Sequence, residues 1–116
     1  MNPREVLKRK LMGERGWCEY VDFWYWNAGL PLLHHCQGGL EQHEVLFTRA
    51  HAVTGAQKKA MNDERNCALL CHVHHGDAQH NKVFRVWWRD VRAAELYGKD
   101  AVEAYLAGWP TKLRRI

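Results

Sequence analysis

Asn66-Cys67-Ala68-Leu69-Leu70-Cys71-His72-Val73-His74-His75-Gly76-Asp77-Ala78-Gln79-His80-Asn81 carries six cysteines and histidines in sixteen residues. The apolar run Ala68 to Leu70 leads them into a turn. Within it, Cys71-x-x-His74 has the spacing of a zinc knuckle, since two intervening residues let a tight turn aim both side chains at one tetrahedral ion. His75 and His80 follow directly. A four-ligand structural site cannot absorb them all, and the surplus points to a second metal or a catalytic group beside the first.

Working outward, Asn66 to Leu70 reads as a short strand. A helix is predicted from His75 through Val83 to Leu96, with Val83, Val86, Trp87 and Val91 on one face and Arg85, Arg89 and Arg92 on another. Trp87 and Trp88 read as core rather than as a base-stacking platform, although one helix face cannot fully bury two adjacent residues. Asp100 is a fair N-cap for a last helix, Ala101 to Ala107, closed by Gly108 and Pro110. Lys112, Arg114 and Arg115 read as a soluble basic tail.

Upstream, Leu40 to Phe47 (LEQHEVLF) reads as a strand with His43 and Glu44 near its middle. Neighbouring strand residues point to opposite faces, so those two share a site only at a bulge or strand end. Thr48 to Gly55 is loop, and Ala56 to Arg65 is a helix or a polar loop. Leu32 to Gly39 forms a second knuckle-like turn that places Cys36 as the third metal ligand. The fourth is Cys18 or, failing that, His34 or His35, and Cys67 in its apolar run reads as core. Trp17 to Trp26 (WCEYVDFWYW) is expected mostly inside. Pro3 begins an amphipathic helix to about Met12, with Leu7 and Leu11 on one face and Arg4, Lys8, Arg9 and Lys10 on others.

The chain of 116 residues, 47% hydrophobic with six tryptophans, fits one globular domain and excludes a disordered chain. The charge of +4 is compatible with nucleic acid without requiring it. Met1 to Lys10 is polar, with no apolar region behind it, and no run of 18 apolar residues follows. The expectation is a cytoplasmic protein without a membrane span, in which cysteines among histidines are metal ligands rather than disulfides.

His43 on a strand, Asn66 before a second strand and His75 entering a helix together resemble the HNH nucleases. The matching segments are Leu40-Glu41-Gln42-His43-Glu44, then Asn66, then Cys71-His72-Val73-His74-His75. His-Glu in the first segment is similar to a variant met among phage-encoded members. The resemblance implies a small α+β fold with a ββα-metal core over about 18–81 and helical extensions at 3–12 and 83–107. It implies a structural Zn²⁺ on Cys18, Cys36, Cys71 and His74, each of two knuckles giving a pair. It also implies a catalytic Mg²⁺, Mn²⁺, Zn²⁺ or Ni²⁺ on His75 and His80.

The activity implied is metal-dependent hydrolysis of DNA phosphodiesters, with His43 as base and Asn66 holding local geometry. Sliding the register by one makes His43 the metal ligand and Glu44 the base. Arg49, Lys58, Lys59 and Lys82 are candidate DNA contacts. A phage or prophage product in a bacterial cytoplasm, a homodimer, and packaging or replication partners follow by analogy. The alternative function is a zinc-stabilised nucleic-acid-binding module without cleavage. A zinc-scaffolded protein-interaction domain is the third reading.

Overall fold

A computed structural model describes residues 2–30 and 36–111. Along the chain run α1 (Pro3–Glu14), α2 (Tyr20–Ala28), β1 (Leu40–Glu44), α3 (Gly55–Ala60), β2 (Cys67–Cys71) and α4 (His72–Ala78). They are followed by α5 (Lys82–Trp87), α6 (Ala93–Tyr97) and α7 (Lys99–Ala107). A 3₁₀ turn, Glu64–Asn66, precedes β2, and a π turn, Trp88–Arg92, joins α5 to α6. The architecture is α+β, with a two-stranded antiparallel sheet at its centre.

The sheet separates two apolar layers. In register, Glu41 faces Leu70 and His43 faces Ala68, while Gln42 faces Leu69 and Glu44 faces Cys67. Side chains alternate across a strand. Cys67 and Leu69 therefore pack with Leu7 and Leu11 of α1, while Ala68 and Leu70 join the larger core with Phe23, Phe47, Phe84 and Trp87. The predicted α1 is present and runs two residues further, capped by Asn2, whose side chain accepts the Glu5 N–H. Burying Leu7 and Leu11 stabilises its docking by about 2 kcal/mol each.

Several expectations are corrected. β1 stops at Glu44, because the Leu46 and Phe47 N–H groups are taken by the Asn66 side chain instead of a strand partner. The helix expected from His75 to Leu96 begins at His72 and breaks after Ala78, where Asn81 starts a new one by accepting the Phe84 N–H. The last helix starts at Lys99 after Gly98, so Asp100 lies in its first turn rather than capping it.

Trp87 and Trp88 are both buried. The π turn begins between them, and the helix is covered on two flanks. Trp87 packs on Phe23 and Phe84, while Trp88 lies under the Arg15 guanidinium and donates its indole N–H to the Arg65 carbonyl. The aromatic stretch 17–26 is only half inside. The helix turns Tyr20 and Phe23 inward and leaves Tyr25 and Trp26 exposed, and Trp17 ahead of it is exposed as well. Among the described residues no helix is long and apolar enough to cross a membrane. The tail residues Lys112, Arg114 and Arg115 lie outside the described residues.

Candidate metal centre and adjoining cleft

Cys18, Cys36, Cys71 and His74 converge, with one ligand atom from each lying within 4.8 Å of the others. Cys18 Sγ is 3.3 Å and Cys36 Sγ 3.6 Å from His74 Nδ1. In one zinc tetrahedron sulfur and nitrogen ligands stand about 3.5 Å apart, so the group could hold a metal ion such as zinc. Residues 34 and 35, the alternative source of a fourth ligand, lie outside the described residues.

Each ligand is placed by local structure. Cys71 ends β2 and is the N-cap of α4, its Sγ accepting the His74 N–H at 3.5 Å. His74 follows one turn later and is fully buried, its ring stacked on Tyr20 at 4.6 Å. Cys18 sits just before α2, where Glu19 fastens the chain to β2. The Glu19 N–H donates to the Leu69 carbonyl, and its carboxylate accepts from the Leu69 N–H, Arg15 and Arg92. Cys36 opens a turn in which Gly38 has φ +81°, with a Cβ there only 2.7 Å from His72 Cβ.

Burial pushes the Cys18 thiol up to about 12 and also raises Cys36. Burial works against the Cys71 thiolate too, yet N–H groups of His74 and Gln37 and the neighbouring thiols hold it below the ordinary value. Cys67 is fully buried and stands apart from the group, bonded to the Met61 carbonyl.

Beside this centre, between β1 and α4, lies a cleft of about 260 Å³ lined by His43, Glu44, Thr48, His51, His75, His80 and Arg85, among others. The rings of His43 and His75 meet edge to face, 4.9 Å apart. His43 is 8% exposed. Burial first, then the charges of His75 and Arg85, depress its pKa to about 3. His80 lies past the end of α4, so its five-residue offset from His75 is set by the turn rather than by a helix face.

Asn66 is not in the cleft but behind it. Its Oδ1 accepts the Leu46 and Phe47 N–H groups at 2.8 and 2.9 Å, and its Nδ2 donates to the Phe47 and Met61 carbonyls at 2.8 and 3.1 Å. It thereby shapes the chain that leaves His43 and Glu44.

Glu44 stands at the strand end on the face opposite His43, its carboxylate 3.6 Å from Arg4. It borders both the histidine cleft and a second one of about 510 Å³ that contains Arg4, Arg49 and Asn62. Arg49 thus belongs to the second cleft. Gln42 is buried on that same side, its Nε2 3.6 Å from Cys67 Sγ. Lys58 and Lys59 end α3 and Lys82 begins α5, all three exposed.

Three residues were not assigned to the site from the sequence: Glu41, His51 and Arg85. Glu41 had a usable signal, since it lies two residues before His43 and so shares its face. One carboxylate oxygen is 2.8 Å from His72 Nδ1 and the other 2.7 Å from His75 Nδ1. These two bonds, that of His75 first, hold its pKa below the usual carboxylate value. His72 is exposed and paired with Glu41.

No family model, curated protein or solved structure matches the chain.

Proposed function

We propose that the protein is a metal-dependent endonuclease of the HNH type, with a ββα-metal core, acting on DNA. The observation that carries this reading is the meeting of His43 from the first strand and His75 from the following helix, 4.9 Å apart in one cleft. The Asn66 brace behind it and the Cys₃His group beside it support the same reading.

His43, His75 and His80 give the cleft a set of imidazole donors, which suits Zn²⁺ or Ni²⁺ better than Mg²⁺. A divalent ion there would stabilise the charge that grows on the phosphate and leaving oxygen. Burial weakens His43 as a proton acceptor but leaves its lone pair available for ligation. We therefore prefer His43 as a metal ligand and Glu44, at the strand end, as the group that takes the proton of the attacking water. Arg85 within the cleft, and Arg4 and Arg49 in the adjoining one, offer cations to phosphates on either side of Glu44. Lys58, Lys59 and Lys82 would add exposed charge.

The second reading is a zinc-stabilised nucleic-acid-binding module. It is favoured by Gln42, which lies on the face away from His43 and leaves no acidic residue immediately before it. Plasmid nicking by the purified, zinc-loaded protein with EDTA, Mg²⁺, Mn²⁺ or Ni²⁺ separates the two. Ion-dependent nicking lost in His43→Ala is expected. A folded protein that binds DNA in a salt-sensitive way but never cuts it would replace the nuclease with the module.

A further inference from the structure

We propose that Glu41 is the positioning residue for His75, fixing the nitrogen that this imidazole presents to a divalent ion in the cleft; this rests on the cleft being an ion site. The first turn of α4 interleaves two pairs three residues apart. Cys71 and His74 turn toward the Cys₃His group, while His72 and His75 turn toward β1. Residues at that spacing share a helix face, so the two pairs occupy neighbouring faces of a single turn.

Glu41 is the only β1 group bonded to the second pair among the described residues, and it uses one oxygen for each ring. A carboxylate accepts, so the Nδ1 of a neutral His75 must carry the hydrogen, and its lone pair then sits on Nε2. A carboxylate behind an imidazole is a recurrent arrangement for metal-binding histidines, because it fixes the ring and strengthens its donor nitrogen. The roles of the two histidines differ. His75 is mostly buried and lines the cleft, with a side chain 18% exposed. His72 is 74% exposed and acts as an outer anchor that keeps the carboxylate from rotating away.

A brace that merely fastened α4 to β1 would have the same hydrogen bonds but no effect on ion binding. Titration calorimetry of Ni²⁺ into zinc-loaded native protein and Glu41→Gln distinguishes them. Affinity about 10–100-fold lower in the variant is expected, with zinc content and Tm retained. Equal affinity would overturn the proposal.

Nitrogen-15 NMR of the histidine rings gives a readout that needs no second ion. Native His75 should be the Nδ1–H tautomer, and an Nε2–H tautomer would overturn the assignment. If the native protein takes up no Ni²⁺ beyond its zinc, the proposal fails whatever the tautomer, while the nuclease reading is decided separately by metal-dependent nicking. Should Glu41→Gln not fold, His72→Asn removes only the exposed anchor. It is expected to weaken Ni²⁺ binding in the same direction by a smaller factor, and no change would count against the proposal.

Discussion

Asn66 and Phe47 hold each other through two hydrogen bonds of opposite direction: the Phe47 N–H donates to Oδ1 at 2.9 Å, and Nδ2 donates to the Phe47 carbonyl at 2.8 Å. With Leu46 and Met61 included, one fully buried amide satisfies four backbone groups. Asn66→Ala leaves the Leu46 and Phe47 N–H groups and the Phe47 carbonyl without this partner in the interior, and the Met61 carbonyl with only the weak Cys67 thiol, at about 1–3 kcal/mol for each group that water cannot reach. Water entering the space relieves part of this, so a loss on the order of 4 kcal/mol is expected in urea unfolding of the zinc-loaded protein. Asn66→Asp, which sets an oxygen against two carbonyls, should be nearly as harmful.

Zinc uptake should release protons. In the metal-free protein burial keeps Cys18 and Cys36 protonated at neutral pH, and a thiol must lose its proton to bind. With at least those two protons displaced, apparent affinity should rise about a hundredfold or more per pH unit near neutrality. Calorimetry in buffers of different ionisation enthalpy checks the proton count, and a pH-independent affinity would contradict the site. Cys67→Ala should leave the stoichiometry at about one zinc per chain.

His43 should make the fold acid-sensitive. Its pKa is about 3 in the folded protein against an ordinary value near 6.5, so only the unfolded chain takes up the proton between those limits. Its contribution is complete above about pH 6.5 and declines as the pH falls toward 3. Between about pH 6.5 and 5 this amounts to about 2 kcal/mol. Denaturation midpoints of the native protein should fall more steeply over that window than those of His43→Leu. Parallel curves would remove His43 from the explanation. Zinc loss at low pH affects both proteins alike.

Gly38→Ala should loosen the metal centre. The residue has φ +81°, and a new methyl would meet the His72 Cβ at 2.7 Å, where no flexible end can swing aside. A cost of about 1–2 kcal/mol is expected, seen as faster zinc transfer to a chromogenic chelator. Gly39→Ala, where a Cβ meets nothing within 4 Å, is the control.

The metal group was legible because ligand chemistry is written into residue type: a cysteine and a histidine with two residues between them at a strand end, and a cysteine before two glycines. β2 and α1 were legible from apolar pattern. What sequence could not give came from approach in space. Glu41 reads as any surface glutamate until α4 brings two imidazoles to it. The end of β1 depends on an amide 22 residues after Glu44, and the burial of both Trp87 and Trp88 on a π turn and cover from two sides. The aromatic stretch 17–26 misled for a simpler reason. Composition says that aromatics can be buried, but a helix docked on one face buries only those at its own period, here Tyr20 and Phe23.

The ligands of the metal group are far apart in sequence, Cys18 standing 56 positions before His74 and Cys36 standing 38 positions before it. An ion held by them is therefore a cross-link, closing loops that contain α2, β1, α3 and β2. Because the four ligands come together only in the folded chain, the ion's binding free energy adds to the stability of the fold. The loops cannot open singly while all four ligands remain in place. The enclosed segment should then behave as one cooperative block, with slow amide exchange across β1 and β2 until the ion departs.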